Sequence, residues 1–274
     1  MANDNGHLIL SKDEANMIRN KYPRLNGLVK LFLGSQEFIR GEERYCLWIT
    51  ENDLENINDC PDIIERISAV EQYRSESKRQ ATNKLAAYSY RFGEVRYRNS
   101  DSIIVPSVSS ERRTYIPIGF LDKNTVVSNL AFAIYDAEPW IFGVITSYMH
   151  MVWVRAVAGR LGTGLRYSAE HCYNTFPFPE ITDKQKQTIE IHVNNILAER
   201  EKHSDKTMAE LYDPDKMPQG LREAHHSLDL AIEKCYRQAP FDSDEKRLEH
   251  LFRRYEIMTD PAKQNNPEAQ LSLL

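Results

Sequence analysis

The feature that most limits the fold is a pair of alternating prolines in the run Phe176-Pro177-Phe178-Pro179. Because proline lacks a backbone N–H and fixes φ, neither a helix nor a central strand can continue through this run. Before it lie short segments rich in β-branched and aromatic residues, and after it the pattern is helical. We therefore predict an α+β fold: a mixed β-sheet domain with flanking helices, residues 1–180, followed by a C-terminal helical domain, residues 181–274.

The elements of these two parts can be placed from periodicity and capping signals. Strands are predicted at residues 45–49, 90–98, 102–105, 114–118, 125–127 and 131–135. Helices are predicted at residues 11–21, 61–79, 139–157, 182–200, 221–237 and 242–258, several of them beginning at a capping residue or a proline. The stretch 259–274 is polar and contains two prolines, so we expect it to be flexible.

Composition excludes several classes of protein. With 41% hydrophobic residues, 14 Tyr and 10 Phe, the chain resembles an ordinary globular protein and not a disordered one. The apolar stretch 139–159 contains His150 and Arg155, which favours a buried helix over a membrane span. The four cysteines are scattered without a CxxC pair, so we expect reduced thiols in a cytoplasmic protein and no zinc site.

Charge is unevenly distributed along the chain. The net charge is -5, but residues 74–113 contain nine basic and four acidic side chains. A basic stretch between acidic flanks can bind a polyanion locally even when the whole molecule is acidic. A solvated charged face explains the same distribution equally well.

Within and beyond this stretch, arginines lie next to aromatic and hydroxyl side chains. Arginine forks phosphates and the guanine edge, and hydroxyls add hydrogen bonds to phosphate. In the predicted loop 160–167, glycines would allow close approach to a ligand, although Gly159 could instead simply cap the preceding helix. The candidate DNA-binding residues are Arg91, Arg96, Arg98, Ser109, Ser110, Arg112, Arg113, Arg160, Thr163, Arg166 and Tyr167.

No catalytic motif is visible. The chain has no G-x-G-x-x-G, P-loop, HExxH or G-x-S-x-G, and no Asn/Asp-Pro-Pro-aromatic tetrapeptide. Pro61-Asp62 and Glu76-Ser77-Lys78 have the spacing of a metal nuclease, but they fall in one predicted helix and not on adjacent strands. We therefore predict no catalytic residues, no bound cofactor and no metal in this chain.

Two further groups of side chains have simpler explanations. His225-His226 with Asp229 could be metal ligands, but the absence of a well-spaced third ligand favours a pair on the surface of a helix. Asp213-Pro214-Asp215 is typical of a proline turn with solvated aspartates.

Several motifs resemble, in order, the region that follows the methyltransferase domain in MmeI-like restriction–modification enzymes of types IIG and IIL. They are Phe32-Leu33-Gly34-Ser35-Gln36-Glu37-Phe38-Ile39, Arg44-Tyr45-Cys46-Leu47-Trp48, Val108-Ser109-Ser110-Glu111-Arg112-Arg113-Thr114-Tyr115-Ile116-Pro117, Gly159-Arg160-Leu161, Arg166-Tyr167-Ser168, Tyr173-Asn174-Thr175-Phe176-Pro177-Phe178-Pro179, Leu211-Tyr212-Asp213-Pro214, Met217-Pro218, Ala224-His225-His226 and Leu228-Asp229.

The resemblance implies a target-recognition domain followed by a helical C-terminal domain. Members of that family resemble fusions of an endonuclease, an adenine-N6 methyltransferase that uses S-adenosylmethionine, and these two domains. The chain would then recognise double-stranded DNA for a methyltransferase domain joined in cis or in trans, with the cofactor bound in that missing domain. The alternative is a protein-interaction module whose basic face docks an acidic partner.

Overall fold

The computed structural model describes residues 3–260, so most of the stretch expected to be flexible, 261–274, lies outside the described residues. Its strands are β1 (Ile9–Leu10), β2 (Val29–Leu33), β3 (Tyr45–Leu47), β4 (Ser102–Pro106), β5 (Val108–Ser110), β6 (Gly119–Leu121), β7 (Thr125–Val127), β8 (Ala131–Tyr135), β9 (Gly159–Leu161) and β10 (Gly164–Arg166). Its helices are α1 (Lys12–Lys21), α2 (Ser35–Arg40), α3 (Leu54–Ile57), α4 (Pro61–Ser75), α5 (Gln80–Asn83), α6 (Pro139–Thr146), α7 (Tyr148–Val157), α8 (Asp183–Glu201), α9 (Met208–Leu211), α10 (Gln219–Tyr236) and α11 (Asp244–Thr259). The α+β class is confirmed, with three small sheets before a helical C-terminal region.

The described residues form two compact units. One comprises residues 3–104 and 120–135, and the other residues 105–119 and 136–260. None of the helices in residues 3–260 is long and apolar enough to cross a membrane.

A four-stranded sheet organises the first unit, in the order β1-β3-β2-β7. β2 pairs antiparallel with β3 and parallel with β7, with Phe32 opposite Val126. The core against this sheet includes Leu10, Ile18 and Leu47. Helix α1 begins as predicted, since the Ser11 side chain accepts from Glu14 N while Glu14 bonds back to the Ser11 backbone.

A second sheet, ordered β6-β4-β8, carries a smaller core in the same unit. That core includes Leu33, Ile104, Val127 and Ala131. The predicted strands at residues 102–105, 125–127 and 131–135 are confirmed as β4, β7 and β8.

The predicted strand at residues 90–98 is wrong. This segment is irregular, and the carbonyl of Arg91 near its start is bonded to a buried side chain and not to a neighbouring strand. Arg74, which is fully buried, donates to the carbonyl oxygens of Asn3 (2.5 Å), Leu85 (3.1 Å), Tyr88 (2.7 Å) and Arg91 (2.8 Å). The side chain of Phe92 packs in the core of the first unit, a position that the strand prediction did not indicate.

Helices dominate the second unit. Helix α8 packs against α6 and α10, and a methyl group added at Gly143 of α6 would lie 2.3 Å from Ile189 Cγ2. The helices therefore approach so closely there that only glycine fits. Helix α8 begins with the predicted capping box of Thr182 and Gln185, but α11 is capped by Ser243 and begins at Asp244, not at Asp242.

The single helix predicted for residues 139–157 is in fact two helices separated by Ser147. Ser147 has an extended backbone, its hydroxyl donates to the Val144 carbonyl oxygen (2.7 Å), and it accepts from His150 N (3.3 Å). A serine hydroxyl that bonds nearby backbone groups competes with the helical pattern. The apolar pattern on both sides concealed this break.

The predicted strand at residues 114–118 is also wrong. Residues 115–118 are buried, and side chains from the helices donate to a carbonyl group at each end of this stretch. Arg155 donates to the Arg113 carbonyl oxygen (3.3 Å) and Arg200 to the Ile118 carbonyl oxygen (2.8 Å). Pro117 has no N–H to offer a strand partner.

Candidate nucleic-acid interface

Eight of the candidate DNA-binding residues lie on, or close to, a three-stranded sheet of the second unit, ordered β5-β10-β9. Strands β9 and β10 form a hairpin, where a loop was expected from the sequence. Its two-residue turn is Gly162-Thr163, and Gly162 has φ +59°, the left-handed conformation that a tight hairpin turn needs at its first position. Gly159 lies in β9, so the expectation that it caps the preceding helix is wrong.

The two arginines of the hairpin project from opposite faces of the sheet. Leu165 lies opposite Ser109 on one side and Arg160 on the other, whereas Arg166 lies opposite Val108 and Gly159. Directly opposed residues share a face, and successive residues of a strand alternate. Arg166 therefore projects from the face of Ser110, and Arg160 from the face of Leu165, which is only 1% exposed.

Carboxylates bind two of the exposed arginines. Arg160 Nη1 lies 2.7 Å from Glu111 Oε2, and Arg112 Nη2 lies 2.5 Å from Asp215 Oδ2. Arg113 is half-buried and donates to Ser109 Oγ at 3.4 Å. The sheet thus exposes guanidinium groups whose charge is partly balanced by nearby acids.

Tyr167 and Ser109 lie in the interior, unlike the other candidates on this sheet. Tyr167 is 4% exposed, and its hydroxyl lies 3.0 Å from His150 Nε2. Burial raises the pKa of the Tyr167 hydroxyl well above its usual value and lowers the pKa of His150 to about 3. Ser110, Thr163 and Arg166 are exposed.

The other three candidates, Arg91, Arg96 and Arg98, belong to the first unit. The Arg91 guanidinium lies 4.5 Å from the centre of the Tyr88 ring, and that of Arg98 lies 5.9 Å from the centre of the Tyr135 ring. Arg96 is exposed and lies 3.1 Å from Glu94. Since there is no strand here, Arg96 and Arg98 do not lie on a common strand face.

Comparison with known protein families identifies both parts of the chain. The family description "MmeI, target recognition domain" matches residues 1–180, and "MmeI, C-terminal domain" matches residues 181–261. The chain belongs to the MmeI family. The resemblance seen in the sequence motifs is confirmed.

Two relatives are considerably longer than this chain. DNA methyltransferase A of Bacillus subtilis (strain 168) is 48% identical over 260 residues, which cover 95% of this chain and 30% of that protein. The solved structure of MmeI, a type IIL restriction-modification enzyme in complex with DNA, is 36% identical with a TM-score of 0.87 and covers 94% of this chain and 34% of that one. The chain therefore spans about a third of the length of these relatives.

The second unit of this MmeI-family chain also contains a buried polar network that the sequence did not reveal. Asp229 accepts from the Tyr115 hydroxyl (2.6 Å) and from Tyr148 N (2.7 Å). His225 Nε2 lies 2.7 Å from the Tyr212 hydroxyl, and its ring stacks on Tyr115 with centroids 4.2 Å apart. Burial raises the pKa of Asp229 to about 7 and lowers that of His225 well below its usual value.

The surface position expected for His225 and Asp229 is wrong. A signal was present, because Leu221, Leu228 and Ile232 place the apolar face of α10 on the same side as these two residues. His226 alone of the three is exposed. Asp215, of the predicted turn, has its backbone N–H bonded to Asp213 Oδ1 (3.0 Å).

The strand–glycine–helix junction at Gly34 does not fit a nucleotide-type cofactor. Gly34 lies between β2 and α2, where a strand–glycine–helix cradle would be sought, but its N–H is bonded to Glu37 Oε2 at 3.0 Å. That carboxylate occupies the place of an anionic ligand. Within residues 3–260, no group of three or more His, Cys, Asp or Glu side chains could hold a metal ion. Asp62 and Glu76, at opposite ends of α4, do not face one another.

Proposed function

We propose that this chain recognises a specific sequence in double-stranded DNA for an adenine-N6 DNA methyltransferase of the restriction–modification type. The observation that best supports the proposal is the β5-β10-β9 sheet, which displays Arg166 and Ser110 on one exposed face within the region matched by the MmeI target-recognition domain. Arginine at such a position can fork a base edge, and serine can bond a phosphate.

Catalysis is assigned to domains outside this chain. A methyltransferase must pull its target base out of the stack, and it must first find the right site. We infer that domains corresponding to the other two-thirds of the relatives bind S-adenosylmethionine and transfer the methyl group, in cis or in trans. This chain binds the DNA duplex and positions it for those domains.

We further propose that residues 1–180 recognise DNA and that residues 181–274 support them. The division is one of role and not of folding, because α8 packs against α6 at Gly143 in a shared core. Supporting helices that share a core with the recognition sheet keep its side chains in a fixed geometry, which base recognition requires.

Salt-dependent binding tests this function. If three to six phosphates are neutralised, the logarithm of the binding constant should fall with the logarithm of salt concentration at a slope of about -3 to -5. Polyglutamate of matched length is the competitor that separates the two classes of partner. A flat salt response, or equal competition by polyglutamate and duplex DNA, would favour a module that docks an acidic protein.

Cofactor binding provides a second test. The chain alone should show no saturable heat of S-adenosylmethionine binding in calorimetry and no methylation of DNA, because it contains neither a cofactor loop nor an adenine-holding tetrapeptide. Saturable binding would mean that the catalytic assignment is wrong.

A further inference from the structure

Two acidic side chains occupy positions on the candidate interface where a DNA-binding surface would be expected to carry none. Glu111 follows β5 directly and reaches Arg160 of β9, across the intervening strand β10. Asp215 comes from the turn after α9 and reaches Arg112. Each acid therefore neutralises one of the candidate DNA-binding arginines.

The protein holds both carboxylates in place. Ser110 Oγ accepts from Arg112 N (3.3 Å), and Arg113 N donates to the Ser110 carbonyl oxygen (3.2 Å), so the turn that contains Glu111 is closed. Asp213 accepts from Asp215 N, and Arg222 donates to the Pro214 carbonyl oxygen (3.1 Å), which fixes the turn that contains Asp215. These acids are presented by ordered turns.

We propose that Glu111 and Asp215 act as specificity-determining residues. Their carboxylates pair with Arg160 and Arg112, respectively, until a cognate DNA site takes the place of the carboxylates. The inference rests on the proposed DNA-binding function. The side chains of the Arg112–Asp215 pair are 65% and 72% exposed, and those of the Arg160–Glu111 pair 55% and 47% exposed. Ion pairs exposed to this degree are weak, so a well-placed phosphate or base edge can replace the carboxylate.

The consequence differs between cognate and non-cognate DNA. Non-specific binding depends almost wholly on charge, so it loses most when an acid remains beside each arginine. A cognate site offers oriented bidentate bonds, which compensate for the displaced carboxylate. Glu111 and Asp215 therefore weaken binding to non-cognate DNA more than binding to cognate DNA. The ratio of the cognate to the non-cognate binding constant rises as a result.

The experiment compares Glu111→Gln, Asp215→Asn and the double variant with the unaltered chain. Binding is measured by fluorescence anisotropy on a duplex that the unaltered chain selects from a random pool and on a scrambled duplex of the same length and composition. Glu249→Gln is the matched control, because Glu249 also forms an exposed 2.5 Å ion pair, with Arg253 on α11, away from the sheet. Thermal unfolding checks that each variant is folded.

We expect each single variant to bind the scrambled duplex about three-fold more tightly at low salt, with a salt slope steeper by up to about 0.9. Binding of the selected duplex should change by less than about two-fold, and the control should change neither value. The inference is overturned if the variants match the control, or if Glu111→Gln weakens the selected duplex, which would make Glu111 a direct base contact. An unaltered chain that binds no duplex would instead reject the DNA-binding function itself, and this inference with it.

Discussion

Residues 84–98 of the first unit and the β5-β10-β9 sheet of the second both contain candidate DNA-binding arginines, but their backbones are held in opposite ways. In residues 84–98, three main-chain carbonyls depend on the buried guanidinium of Arg74. In the sheet, neighbouring strands satisfy one another's backbone hydrogen bonds. The side chains of Arg160 and of the nearby Arg112 project outward to carboxylates. An arginine in the first case maintains the fold, and in the second it is available to a ligand. Composition alone does not distinguish these roles.

The largest effect should come from Arg74. Arg74→Leu removes a fully buried side chain that donates to four carbonyl groups, so we expect a loss of roughly 3–5 kcal/mol in the free energy of unfolding. Urea denaturation measures it. Arg74→Lys should recover little, because an ammonium cannot span the four acceptors that the planar fork reaches. Arg24→Ala, which breaks an exposed pair with Asp59, is the control and should cost less than about 1 kcal/mol. Equal losses for Arg74→Leu and Arg24→Ala would remove the contrast between the two regions.

The buried polar network around Asp229 should make the stability of the second unit depend on pH. Because burial raises the pKa of Asp229 from 3.8 to about 7, the folded chain keeps a proton that the unfolded chain has released. The stabilising contribution of Asp229 is therefore greatest below about pH 4 and is lost as the pH rises through 7. Glu233 raises this pKa further, while Arg247 and the hydroxyl of Tyr115 lower it.

Asp229→Asn should remove this dependence. We expect its stability relative to the unaltered chain to improve by roughly 2–4 kcal/mol between pH 4 and pH 7, at about 1.4 kcal/mol per pKa unit. Urea denaturation at each pH measures the difference. Burial lowers the pKa of His150, so this residue destabilises the folded chain as the pH falls below about 6.5. Its effect is the same in both proteins and cancels from the difference in stability. A difference that does not vary with pH would show that Asp229 is ionised in the folded state throughout this range.

Arg166 tests whether the sheet recognises bases. In a fusion that joins this chain to methyltransferase domains of the family, Arg166→Ala should relax methylation specificity at one base-pair position by about 1–3 kcal/mol. The melting temperature should hardly change because the side chain is exposed. If all sequences are weakened alike, Arg166 contacts a phosphate. Unchanged specificity with a large loss of stability would make it a structural residue.

The smallest effect should come from the first unit. Arg96→Ala removes an exposed guanidinium from an irregular segment, so we expect a uniform loss of affinity across sequences and a salt slope reduced by about 0.9. The same binding measurements, made on selected and scrambled duplexes, detect it. A change in sequence preference would show that both regions recognise bases, which would contradict the difference in role between residues 84–98 and the sheet.

Local signals predicted most of the elements but not how they are held. Capping residues fixed the starts of α1 and α8, and β-branched runs located β4, β7 and β8. The two failed strands have strand-like composition, but their acceptors are satisfied by Arg74, Arg155 and Arg200, which are distant in sequence. A single sequence does not show which arginine will donate to a distant backbone.

The candidate interface shows the same limit. The hairpin turn could have been recognised from Gly162, whereas the opposite projection of Arg160 and Arg166 follows only from strand register. The pairing of Glu111 and Asp215 with arginines depends on two turns far apart in the chain. Family motifs located the region, and the arrangement of its charges required the structure.

The way in which helices α7 and α8 satisfy residues 113–118 has a consequence for solubility. Arg155 and Arg200 give this extended segment the hydrogen bonds that a neighbouring strand would otherwise supply. If α8 and α10 were removed, the Ile118 carbonyl would lose its donor Arg200, and the buried Tyr115 side chain would lose its contacts with His225 and Asp229. An uncovered extended segment with apolar side chains is a template for intermolecular strand pairing. The C-terminal helices thus protect the chain against aggregation, whatever they contribute to recognition.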